Sequence, residues 1–96
     1  IKLGSAFDVV GERTQTDFRV DTIRRTMTES FSIQLRNHKP APVRVLVEEN
    51  LYRWTNWDVA AKSDEFTKTD ARTIRFDVTV PPDGAKTVTY TVQYSW

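Results

Sequence analysis

Cysteine is absent from the chain, and that single absence excludes a disulfide scaffold, a thiolate zinc site and a cysteine nucleophile together. Histidine occurs once, at His38, glycine only three times, and no apolar run approaches the ~20 residues of a membrane-spanning helix. Charge of one sign is missing too. The 14 Lys+Arg and 13 Asp+Glu leave a net +1, so no global field announces nucleic acid or an anionic membrane as a partner. No Gly-x-Ser-x-Gly elbow, His-Glu-x-x-His helix or glycine-rich phosphate loop occurs, which removes the common hydrolase, protease and nucleotide-dependent chemistries.

What is present is strand grammar. Val, Ile and Thr make up 28 of the 96 residues and aromatics another 11, a composition that suits pleated, half-buried strands. Val88, Tyr90, Val92, Tyr94 and Trp96 alternate with Thr87, Thr89, Thr91, Gln93 and Ser95, giving one apolar and one hydroxyl-rich face. Ile74, Phe76, Val78 and Val80 alternate just before them. The intervening Pro81-Pro82-Asp83-Gly84 is a turn, with proline setting φ and Gly84 expected to supply a positive φ. These two runs are expected to form a hairpin, or strands joined across two sheets. Phe31, Ile33 and Leu35, then Val43, Val45 and Val47, imply a second hairpin across Asn37-His38-Lys39-Pro40.

The first third is less regular. Phe7 with Val9 reads as a short strand and Phe18, Val20 and Ile23 as another, while Arg24–Ser30 either extends it or bends. Trp57–Asp70 is the least strand-like stretch, and reads either as a helical turn over Ala60–Glu65 capped by Ser63 or as a long surface loop with Phe66 tucked in. Six or seven short strands and no long helix predict an all-β, immunoglobulin- or fibronectin-like antiparallel β-sandwich of about seven strands. At this length it is a single domain spanning 1–96. Because the chain runs from Ile1 to an apolar Trp96, it is expected to be a piece of a longer protein. Any leader would lie upstream, so the compartment is not legible.

No catalytic constellation emerges. His38 sits in a turn where polar residues serve the backbone. The pairs Glu48-Glu49 and Asp64-Glu65 match no calcium loop, and adjacent acids on a strand point to opposite faces, so they read as solvated surface charge. Residues 1–45 carry a net +3 and residues 46–96 a net −2, too mild an asymmetry for a nucleic-acid footprint. No metal, no cofactor, no nucleic acid and no membrane insertion are expected.

The segment from Leu51 to Val59 is the one place where binding residues concentrate. Tyr52, Trp54 and Trp57, with Arg53 beside them, are the residue types that stack on a sugar or receive a peptide. Their plain alternative is packing at the open end of the sandwich. Trp96 likewise reads as core or as an inter-domain contact. Tyr52, Arg53, Trp54, Trp57 and Trp96 are therefore the candidate contact residues.

Several fragments carry a family resemblance. Leu3-Gly4 with Phe7-Asp8-Val9, Leu35-Arg36-Asn37-His38-Lys39 leading into Pro42–Glu49, Lys68–Val78, and Pro81–Gly84 with Val88–Tyr94 together resemble the C-terminal β-domain of the mucoidy-inhibitor-like family of bacterial proteins of unknown function. That resemblance implies a longer parent with an upstream β-region and a helical segment, in many cases exported to the bacterial envelope or periplasm. It brings no reaction and no catalytic residues. The expected function is a non-enzymatic structural or protein-interaction module, docking on its parent chain, on a protein partner or, through an edge strand, weakly on itself. The alternative is a carbohydrate- or peptide-binding module using Tyr52, Trp54 and Trp57.

Overall fold

The structure is a computed structural model that describes residues 2–4, 9–51, 53 and 56–96, with residues 2–4 described as backbone only. Eight strands are seen among them: β1 (Lys2–Gly4), β2 (Val9–Asp21), β3 (Thr26–Asn37), β4 (Val43–Asn50), β5 (Trp57–Lys62), β6 (Phe66–Asp70), β7 (Thr73–Val80) and β8 (Ala85–Ser95). They form two four-stranded sheets, ordered β1-β4-β7-β6 and β2-β3-β8-β5, and every pairing is antiparallel. The all-β sandwich expected from the alternation is thus the architecture.

Period two builds the core directly. Phe31, Ile33 and Leu35 of β3 and Val88, Tyr90, Val92 and Tyr94 of β8 point inward from one sheet. Val45 and Val47 of β4 and Ile74, Phe76, Val78 and Val80 of β7 meet them from the other. Tyr90 lies between Phe31 and Phe76, with ring centroids 5.4 and 5.6 Å away, so three aromatics knit the sheets at mid-height. Most of these side chains are wholly enclosed, and truncating one such as Leu35 to alanine costs about 2–5 kcal/mol.

Neither predicted hairpin survives. β7 and β8 lie in opposite sheets, the second of the two alternatives for that pair, and β3 and β4 also lie in opposite sheets. Both runs are apolar on one face only, and two strands facing each other across a sandwich bury those faces as a hairpin does not. The two crossings are pinned together by Asn37, which is 1% exposed. Its Nδ2 donates to the carbonyls of Ala41 (2.9 Å), Val80 (3.3 Å) and Pro81 (3.1 Å), and its Oδ1 accepts the Lys39 N–H (2.9 Å). The Asp83 N–H donates to the Lys39 carbonyl, and the Asn37 N–H to that of Gly84. The left-handed residue of this turn is Asp83 (φ 46°), not Gly84. Gly84 is required by space instead, since a Cβ there would stand 2.9 Å from Pro81 Cγ.

The hairpins that do form join β2 to β3 and β6 to β7. In the first, Asp21 Oδ1 accepts the N–H groups of Ile23 (3.1 Å) and Arg24 (3.0 Å), and Arg25 turns the chain with φ 55°. Residues 9–25 are therefore one 13-residue strand and a turn, and Thr26–Ser30 opens β3. The expected strand at Phe7 lies outside the described residues. No helical turn forms at Ala60–Glu65. Ser63 links the end of β5 to β8, its Oγ accepting the Thr89 N–H at 2.9 Å and its N–H donating to the Thr89 carbonyl at 2.8 Å. Phe66 is half-buried on β6, edge-on to Phe76.

Candidate functional site

The alternation that makes the core also carries two carboxylates into it. Glu29 lies on the inner face of β3 two residues before Phe31, and Glu49 on that of β4 two residues after Val47; they are 3% and 1% exposed. The reading of Glu48-Glu49 as solvated charge is thus corrected for Glu49. A carboxylate this deep needs partners, because isolated burial of a charge costs far more than one hydrogen bond returns. Glu49 Oε1 accepts from the Tyr90 hydroxyl and from Arg13 Nε, both at 2.7 Å. Glu29 accepts from Gln15 Nε2 at 2.7 Å on one oxygen and from Arg53 Nε at 2.5 Å on the other.

The two arginines are held by aromatic faces as well. The Arg13 guanidinium carbon lies 3.9 Å from the centre of the Phe31 ring, and that of Arg53 lies 5.1 Å from Phe18. Arg13 on β2 thereby ties one sheet to β4 of the other, and Arg53 ties the β4–β5 connection to β3. Burial first, and the Glu49 carboxylate second, push the Tyr90 hydroxyl well above its usual range. Burial opposes the charge on Arg13, but the hydrogen bond and field of Glu49 outweigh it and raise that guanidinium further. Each carboxylate of this cluster is committed to a cation, an arrangement that clasps the open flank of the sandwich and holds its charges in place.

Sequence reasoning nominated only Arg53 from this cluster. The signal for the others was available: 29, 31, 33, 35 and 37 share one face of a strand, as do 45, 47 and 49, so Glu29, Asn37 and Glu49 are marked by the register of their apolar neighbours.

Of the five nominated residues, Tyr52 and Trp54 lie outside the described residues. Trp57 opens β5 opposite Tyr94 and is half-buried. Its Nε1–H donates to the Ala71 carbonyl at 3.0 Å, and Lys68 Nζ stands 5.1 Å from the ring centre. Ala71 belongs to the β6–β7 turn of the other sheet, so Trp57 bridges the two sheets at that edge. Trp96 follows β8 with its N–H on the Arg25 carbonyl at 3.0 Å, and it is 41% exposed.

The register brings Arg53, Trp57 and Trp96 to one end of the molecule, formed by the β2–β3 turn, the β4–β5 connection and the close of β8. Asn56 joins the last two, its carbonyl accepting the Ser95 N–H at 3.0 Å and its Nδ2 donating to Ser95 Oγ at 2.7 Å. Apolar side chains with large exposure gather at this end. Phe18 and Val20 face inward on β2 beyond the reach of the core, Ile23 projects from the turn, and Trp96 lies beside it. On the outer face of the same hairpin lies an open cleft of about 650 Å³, lined by Arg19, Asp21, Ile23, Thr28 and Gln93 among others.

No protein-family model matches the chain, and no curated protein does.

The remaining polar residues are dispersed. His38 is exposed in the β3–β4 crossing. Arg44 pairs with Asp77 on the solvent face of the other sheet and lowers that carboxyl's pKa. Asp64 is partly buried, which alone would raise its pKa. Ser63 and Lys86, the latter 3.0 Å away, outweigh the burial and draw it below the usual carboxylate range. No three acidic or histidine side chains converge as metal ligands among the described residues.

Proposed function

We propose that this domain is a non-catalytic docking module of a larger bacterial protein, packing on its parent chain or on a protein partner. The observation that carries the proposal is the gathering of exposed Phe18, Val20, Ile23 and Trp96 at one end of the sandwich. Apolar groups collected in one place on a small soluble domain mark an interaction surface more often than scattered ones do. The pairing of Glu49 with Arg13 and of Glu29 with Arg53 supports the same reading, because both carboxylates are engaged in holding the fold together.

An immunoglobulin-like ancestry is part of the proposal. The path of β4 to β8 places β4, β7 and β6 together in one sheet and β5 beside β8 in the other, as that fold does with five successive strands, and β1 extends the first sheet beside β4. Its final strand would pair with β8 on the side that β3 occupies here. Membership of the mucoidy-inhibitor-like family, with this domain at the C-terminus, rests on the resemblance of the strand and turn fragments. Amide exchange compared between the isolated domain and the longer protein tests the docking reading. Protection at residues 18–25 and 94–96 in the longer protein is expected, and identical exchange in both, with no cross-links to this end, would count against it.

A further inference from the structure

Among the described residues β2 presents the longest free edge, and its guards are a bulge and the inward-pointing Arg13. The other edge strands β1, β5 and β6 have 3, 6 and 5 residues, whereas β2 has 13 and contains neither lysine nor proline, two of the devices that keep edges from pairing. Among the described residues, the one β2 amide bonded to anything other than β3 is that of Phe18, on the neighbouring Asp17 carboxylate. Among the described residues, three of the five exposed large hydrophobic ones, Val10, Phe18 and Val20, lie on this strand.

The bulge between Gln15 and Asp17 decides what this edge fits. One extra residue inverts the alternation, so Glu12 and Arg19, opposite Gln34 and Thr28 of β3, share the outer face although an unbroken strand would separate them. The same shift places Arg13 and Phe18 together on the inner face. A strand with this inversion is complementary to itself when run antiparallel about its bulge.

We infer that a second copy of this chain adds its β2 to this edge, about a two-fold axis between Gln15 and Thr16, so that the two outer sheets become one. The inference rests on the docking reading and names its partner. In this register Glu12 lies opposite Arg19 of the second copy, twice by symmetry, and Gly11 leaves room for Val20. Sliding by two residues in either direction sets Glu12 against Asp17 or against Asp21, so charge selects the register. Arg19 is free to take part, because its bond to Asp17 at 3.0 Å is a solvent-exposed pair that is cheap to exchange.

Sedimentation velocity of the chain over a concentration series tests this. A monomer–dimer equilibrium is expected, with Arg19→Glu or Glu12→Arg each raising the dissociation constant about tenfold and the double substitution restoring it. Both positions are exposed, and unchanged urea midpoints confirm that the variants fold. A chain that stays monomeric up to ~1 mM, a dimer indifferent to the single substitutions, or a double variant that fails to recover overturns the inference. Those results leave the docking reading standing if residues 18–25 and 94–96 are protected in the longer protein. Loss of that protection with the charge-selected dimer intact removes the docking end and leaves the β2 pairing.

Discussion

Tyr90 and Glu49 meet across the two sheets, the hydroxyl donating to Oε1 at 2.7 Å, with the residues 2% and 1% exposed. The same oxygen takes the Nε–H of Arg13, so a cation and a phenol jointly hold one buried carboxylate. Tyr90→Phe keeps the ring packing against Phe31 and Phe76 and deletes only one donor. It is expected to lower stability by about 1–3 kcal/mol, the range for a buried hydrogen bond to a charged group. Urea denaturation checks this, and an unchanged midpoint would show that Arg13 alone suffices.

The pH dependence of stability follows from the same pair. Burial and then Glu49 raise the pKa of Tyr90 in the folded chain, whereas in the unfolded chain it ionises near the ordinary tyrosine value of about 10. The contribution is therefore complete below about pH 10 and is lost as pH rises above it toward the folded value, because only the unfolded form then releases the proton. Urea midpoints between about pH 9 and 11 should fall more steeply for the native chain than for Tyr90→Phe. Parallel slopes would refute the assignment.

Arg13 and Arg44 provide a contrast between two cross-strand arginine–carboxylate pairs that differ in burial. Arg13 donates to a carboxylate that is 1% exposed, while Arg44 and Asp77 both face solvent. Arg13→Ala leaves Glu49 with less compensation and removes the packing on Phe31, so a loss of about 1–3 kcal/mol is expected. That is below the full cost of breaking a buried pair, because Arg13 is itself one-third exposed. Arg44→Ala should leave the urea midpoint unchanged. Equal effects of the two would mean that burial does not govern these pairs.

Asn37→Ala tests the junction of the two crossings. The side chain serves three carbonyls and one N–H from a site that is 1% exposed, and alanine satisfies none of them. A destabilisation of about 2 kcal/mol or more is expected, larger than for substitution of the neighbouring exposed His38 by alanine, which should be near neutral. Thermal unfolding of the two variants side by side decides it.

The candidate site was legible only in part. Trp57 was marked by its aromatic cluster, Arg53 by standing within it and Trp96 by closing an alternating strand, and the structure places all three at one end of the sandwich. Glu29 and Glu49 were passed over because charge in a strand is ordinarily solvated, although their parity with Phe31 and Val47 already put them inside. The helical turn expected before Phe66 failed because local propensity at Ala60–Glu65 is weak, and pairing with β8 satisfies the backbone there more completely than one turn of helix would.

By itself, the amino-acid sequence determined the strand class, the inward and outward faces of β3, β4, β7 and β8, and the absence of thiol chemistry, because side-chain alternation is a property of a single extended chain. Only the tertiary structure decided which strands pair, that two apparent hairpins are sheet crossings, and that Arg13 and Arg53 reach the buried carboxylates. The bonds of Arg13 and Arg53 to the carboxylates span 36 and 24 positions, and the β3–β8 pairs span still more. Such contacts are chosen by how the apolar faces of the whole chain are buried at once, and no local pattern encodes that choice.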